Sequence, residues 1–157
     1  MLDAKYESFS TAACNVSQIL AASAATGSRV CVQDLSGQSL QFAPDTTANV
    51  GLSYENSITD SLNLGVDIDY NWSDDVVVAN DLDANLIQES YGKLNARIGI
   101  AGIDGKWSVA IVGKNLTEEE VFTWGNDVPL GSFGFDNTFF KHIDPPRTFE
   151  LNARFNF

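Results

Sequence analysis

Histidine, cysteine and basic side chains are all scarce in this chain. His142 is the only histidine, and there are two cysteines, Cys14 and Cys31. Paired histidines and CxxC spacings, the usual frame of a zinc site, are therefore missing. No Gly-x-Ser-x-Gly elbow and no phosphate-cradling glycine loop occurs, and Gly102-Ile-Asp-Gly105 reads as a turn. With nothing to activate a nucleophile, the chain is not expected to be an enzyme, and no catalytic residue, cofactor or metal ligand is assigned. Lysine and arginine total 9 against 21 acidic residues, a formal charge of −12. A phosphate backbone would be repelled, so nucleic acid is not an expected partner. Long apolar runs are missing too. The longest, around Ile19 to Ala25, is broken by Ser23, far short of the roughly 18 residues a membrane helix needs. Met1-Leu-Asp-Ala-Lys-Tyr6 lacks the basic start and apolar core of a secretory signal. For an exported protein, this suggests a mature or partial chain.

What the sequence does contain is alternation. From Thr148 to Phe157, Phe149, Leu151, Ala153, Phe155 and Phe157 fall on one side of a strand, and Thr148, Glu150, Asn152, Arg154 and Asn156 on the other. Ser61 to Trp72 repeats the pattern, with Leu62, Leu64, Val66, Ile68, Tyr70 and Trp72 opposite Asn63, Gly65, Asp67, Asp69 and Asn71. Further strands are expected near 46–55, 90–101 and 106–115, with a weaker one at 2–9. Most are about 10 residues long, the length a tilted strand needs to cross a bilayer. The alternation favours an outer-membrane β-barrel over a soluble antiparallel sheet, because one face suits lipid and the other water.

Connection lengths give a second signal. Asn56 to Asp60 and Gly102 to Gly105 are short, the latter carrying the Asp104-Gly105 turn pair, whereas 10–45, 73–89 and 116–146 are long. In a barrel, the short turns are periplasmic and the long loops extracellular. Tyr54, Trp107, Phe155 and Phe157 then fall near the periplasmic rim, and Tyr70, Trp72 and Phe149 near the outer one, where aromatic girdles form. Six strands alone would leave two unpaired edges in lipid, so closure requires others.

Three segments carry a resemblance: Tyr91-Gly-Lys-Leu-Asn-Ala-Arg-Ile98, Trp107-Ser-Val-Ala-Ile-Val-Gly-Lys-Asn-Leu-Thr117, and Pro145-Pro-Arg-Thr-Phe-Glu-Leu-Asn-Ala-Arg-Phe-Asn-Phe157. In this order, with Phe42-Ala-Pro-Asp45 upstream, they resemble the C-terminal strands of TonB-dependent outer-membrane receptors. The resemblance implies an all-β fold: about six antiparallel transmembrane strands of a barrel of roughly 22. It implies a bacterial outer-membrane location and uptake of a ferric siderophore, cobalamin or glycan. The implied partners are outer-membrane lipid, the remaining strands, a plug domain and TonB-contacting segment not found in this stretch, and the barrel assembly machinery. Phe149, Leu151, Phe155 and Phe157 would form the assembly signal. The alternative is a soluble cell-surface β domain that binds carbohydrate; a small outer-membrane barrel enzyme is a third reading.

Candidate site residues lie in the last long loop. Trp124, Phe133, Phe135 and Phe139 offer stacking surfaces, with Asn126 and Asp127 as hydrogen-bonding partners. The competing expectation is a loop that packs on its own aromatics. Asp74, Asp75, Asp81, Asp83 and Glu89, and Glu118 to Glu120, read as a solvated surface or as oxygen ligands for a divalent cation. Cys14 and Cys31 are expected to form a disulfide in an oxidising compartment, two free thiols being the other reading. Asn15 to Thr26 is expected to be a short helix or a disordered loop.

Overall fold

A computed structural model describes residues 2–128 and 138–157. In chain order its elements are β1 (Ala12–Ala13), α1 (Val16–Thr26), β2 (Val32–Gln33), β3 (Thr47–Thr59), β4 (Leu62–Ser73), β5 (Val76–Val77), β6 (Ile87–Gln88), β7 (Tyr91–Gly102), β8 (Trp107–Lys114), β9 (Phe122–Asp127), β10 (Phe139–Ile143) and β11 (Thr148–Phe155). The fold is all-β and its sheets are antiparallel. The chain divides into two compact units.

One unit, made of Thr47–Ser73, Tyr91–Glu120 and Pro145–Phe157, is a five-stranded sheet in the order β11-β8-β7-β4-β3. Among the described residues the sheet is open, with β3 and β11 as edges. Register extends the alternation of each strand across the whole sheet. One row runs Leu52, Ile68, Ala96, Gly113, Phe149; the next runs Tyr54, Val66, Ile98, Ile111, Leu151. On the opposite face, Ser53, Asp67, Arg97, Val112 and Glu150 form one row, and Glu55, Gly65, Gly99, Ala110 and Asn152 another. A one-residue slip would exchange the faces, so the apolar pattern specifies the register. The apolar face stays uncovered within the unit: Val50 is 69 % exposed and Leu151 72 %.

The polar face is tied across strands. Asp69 Oδ2 accepts from Asn71 Nδ2 and Asn95 Nδ2, both at 2.7 Å. Asn95 Oδ1 in turn accepts the backbone N–H of Asn115 at 2.9 Å. Arg97 and Asp67 pair at 3.3 Å, and Lys114 and Glu150 at 2.8 Å. All four side chains are well exposed, and such pairs contribute about 1 kcal/mol or less each. Over Gly65 and Gly99 this face has a hollow of about 300 Å³, bordered by Glu55, Asn63, Asp67, Arg97 and Ser108.

The segment Gly113-Lys-Asn-Leu-Thr117 ends β8. Asn115 is buried and adopts φ +50°, a conformation open to asparagine because its short amide bonds locally. Its Nδ2 donates to Glu119 O, and its Oδ1 accepts from Glu119 N. Leu116 N donates to Leu94 O, and Thr117 Oγ1 donates to Gly92 O, so the turn is fastened back onto β7.

The other unit, made of Met1–Thr46, Asp74–Ser90 and Val121–Asp144, gathers the N-terminal segment with parts of the long connections. Its core is Val78, Ala79 and Leu86, flanked by Val76, Val77 and Phe122. Asn15 and Gln18 form a reciprocal capping box at the start of α1, satisfying backbone donors that a helix start leaves free. Gly27, at φ +73°, provides the left-handed C-terminal cap. Cys14 and Cys31 are joined by a disulfide, as expected, with their Cα atoms 5.7 Å apart.

Two expectations change. Residues 2–9 supply no strand to the sheet. Their backbone bonds go to 35–45 instead, through Leu40 N to Ala4 O, Tyr6 N to Gln38 O and one isolated bridge, Lys5 with Ser39. The segment finds its partners within the following stretch of chain, so the main sheet has five strands rather than six. The short connection expected at 56–60 narrows to Asp60-Ser61, because β3 runs on to Thr59. The long connections carry α1 and the short strand pairs β1–β2, β5–β6 and β9–β10.

Candidate functional site

The aromatic loop forms a hairpin in which β9 and β10 pair antiparallel: Asp127 faces Phe139, Asn126 faces Phe140, Gly125 faces Lys141 and Trp124 faces His142. Register then shifts, and Phe122 faces Ile143, leaving Thr123 as the extra residue of a β-bulge. A bulge places two successive side chains on the same side of its strand. Thr123, Trp124, Asn126, Phe140 and His142 consequently share one face, and Phe122, Gly125, Asp127, Phe139 and Lys141 the other. The ring contacts agree with this division. Lys141 Nζ sits 4.1 Å from the Phe122 ring centroid and 5.6 Å from that of Phe139.

The second face is anchored. Gly125 is buried, and its N–H donates to Val78 O at 2.9 Å. A Cβ at Gly125 would lie 2.8 Å from Leu86 Cδ2, so a side chain there would collide with the core. Gln88 Oε1 accepts the Phe122 N–H at 2.6 Å.

The first face is open to solvent. Trp124 is 40 % exposed and Phe140 42 %. Their rings meet edge to face, with centroids 5.0 Å apart, the arrangement that aromatic quadrupoles favour. Thr123 Oγ1 lies 2.9 Å from His142 Nδ1, fixing the imidazole beside Trp124.

The structure thus rearranges the expected set. Trp124 and Asn126 fall together on the open face. Phe139 lies on the opposite one, while Phe140 and His142, not assigned from sequence, complete the open face. The missing signal was the bulge, which reverses side-chain parity within β9. Asp127 is withdrawn from the ligand set: it is 7 % exposed, and its Oδ2 accepts the Val16 N–H at 2.9 Å. Phe133 and Phe135 lie outside the described residues.

No family model, curated protein or solved structure matches the chain. Chemistry and geometry therefore carry the functional reading.

The acidic loop residues do not assemble as cation ligands. Among the described residues, no group of three or more histidine, cysteine, aspartate or glutamate side chains could hold a metal ion. Asp83 instead caps the short helical turn Ala84–Leu86, its Oδ1 accepting from Asn85 N and Nδ2. Asp81 is partly buried and has its carboxyl pushed above the usual aspartate range, first by burial and then by the charge of Asp127.

Proposed function

We propose that the chain is part of the barrel of a TonB-dependent outer-membrane receptor, an importer of a scarce ligand such as a ferric siderophore, cobalamin or glycan. Its five long strands would be wall, with the apolar face on lipid and the polar face toward a plug or a water-filled lumen. The short turns would be periplasmic and the long connections extracellular. The observation that supports this reading is the continuous, uncovered apolar face, which in water would be an unusually large exposed patch. Its composition fits lipid: Val50, Leu52, Ile68, Ile98, Ile111, Phe149 and Leu151, with no charged side chain among them. The free edges of β3 and β11 point the same way, since each has backbone groups for a further strand. Phe149, Leu151, Phe155 and Phe157 remain the proposed signal for the barrel assembly machinery.

A soluble carbohydrate-binding surface domain is the second reading, favoured by the open aromatic face of β9–β10. Quenching by brominated lauryldimethylamine oxide separates the two. In single-tryptophan variants of the full chain, Trp72 and Trp107, both on the apolar face, are expected to be strongly quenched in these micelles, with Trp124 much less so. Unquenched Trp72 and Trp107, in a chain that stays monodisperse without detergent, would overturn the barrel assignment.

A further inference from the structure

We infer that the open face of the β9–β10 hairpin, formed by Trp124, Asn126, Phe140 and His142, is a binding platform for a neutral hexopyranose chain. The inference rests on the ligand-binding element of the proposed function, and it holds for either a receptor or a surface domain.

Four features converge on it. The hairpin is held from behind, through Gly125 against Leu86 and Val78 and Asp127 at the start of α1, so the open face is backed by a packed core. The bulge at Thr123 turns Trp124 to the side occupied by Phe140 and His142; bulges often re-aim side chains at sites of function. The two rings, meeting edge to face, offer an apolar surface on which the C–H face of a sugar ring can stack. Asn126 Oδ1 accepts the Asp127 N–H at 2.9 Å, so its Nδ2 is the group offered to a ligand oxygen, and His142, with Nδ1 engaged by Thr123, keeps Nε2 for a hydroxyl.

Charge selects among occupants. None of the four described residues Trp124, Asn126, Phe140 and His142 carries a carboxylate, ammonium or guanidinium group, and they belong to a chain of formal charge −12. An anionic ligand would meet no fixed cation here and a repulsive background. A neutral polyol needs only apolar rings and dipolar partners, which this face provides.

The test is calorimetric titration of the full chain in lauryldimethylamine oxide with maltohexaose, cellohexaose and mannohexaose, using hexagalacturonate and a ferric catecholate as comparators. At least one neutral hexasaccharide is expected to bind more tightly than either comparator. Trp124→Ala and Phe140→Ala should each weaken that binding about tenfold, the scale of one lost ring contact. Phe139→Ala, on the opposite face, should leave it within about twofold. Should an alanine variant fold poorly, a chain retaining only Trp124 gives a second readout, with its emission expected to shift on addition of the sugar. Failure of all three neutral sugars to bind, tighter binding of either comparator, or an equal loss with Phe139→Ala overturns the inference. Micelle quenching of Trp72 and Trp107 does not depend on the sugar result, so failure of the platform and failure of the barrel reading remain distinguishable.

Discussion

Asp127 Oδ2 accepts the backbone N–H of Val16, the first residue of α1, across 111 positions of sequence at 2.9 Å. A carboxylate at a helix start satisfies a free donor and complements the positive end of the helix dipole. Its other oxygen, Oδ1, is buried and has no hydrogen-bond partner among the described residues, which offsets part of that gain. Asp127→Ala is expected to destabilise the unit containing α1 by about 1 kcal/mol or more. Hydrogen exchange should show faster exchange at the first turn of α1, with the amides of β4 and β7 unchanged. Unaltered exchange at Val16 would show that the contact does not hold the helix.

Asp81 gives a pH signature. Its folded pKa is raised by burial and by the charges of Asp127 and Asp83, so the native state binds the proton more tightly than the unfolded chain does. The stability this group contributes is full below the ordinary value of 3.8 and is lost as pH rises through the raised value. Asp81→Asn is therefore expected to raise Tm at pH 7 and to leave it unchanged at pH 3, when both are followed by circular dichroism. A variant that is less stable at pH 7 would contradict the sign.

Gly99 and Gly51 lie in the same sheet but have different surroundings. A Cβ at Gly99 would stand 2.8 Å from Ala110 Cβ and 3.0 Å from Val109 O, whereas at Gly51 its nearest neighbour would be Ile68 O at 3.9 Å. Gly99→Ala should cost about 1–3 kcal/mol as β7 and β8 are forced apart. Gly51→Ala should be neutral or slightly stabilising, since it restricts the unfolded chain without a clash. Urea unfolding in micelles would measure both; equal effects would show that β7 and β8 yield freely.

Much of the sheet was legible because strand periodicity is a local property. The two-residue alternation from Ser61 to Trp72 and from Thr148 to Phe157 places every side chain on a face before any partner strand is known, and the pairing of Asp67 with Arg97 follows once register is fixed. The 2–9 segment misled because a few alternating residues do not say whether their backbone partner is a sheet or the next stretch of chain. The candidate site was only partly legible. Trp124 and Asn126 announced themselves by type, but one extra residue, Thr123, decides which neighbours join them. Asn115 shows the same limit: only the structure reveals that its amide closes the turn after β8.

Local sequence was enough for the all-β class and for the two unlike faces of each long strand, since both depend on side chains within a few residues of one another. The folded chain was needed to show that Asp127 serves α1, that Phe140 rather than Phe139 joins Trp124, and that residues 2–9 pair with 35–45 rather than with the sheet. Each of these depends on contacts between segments distant in sequence, where one bulge or one buried hydrogen bond outweighs local preference.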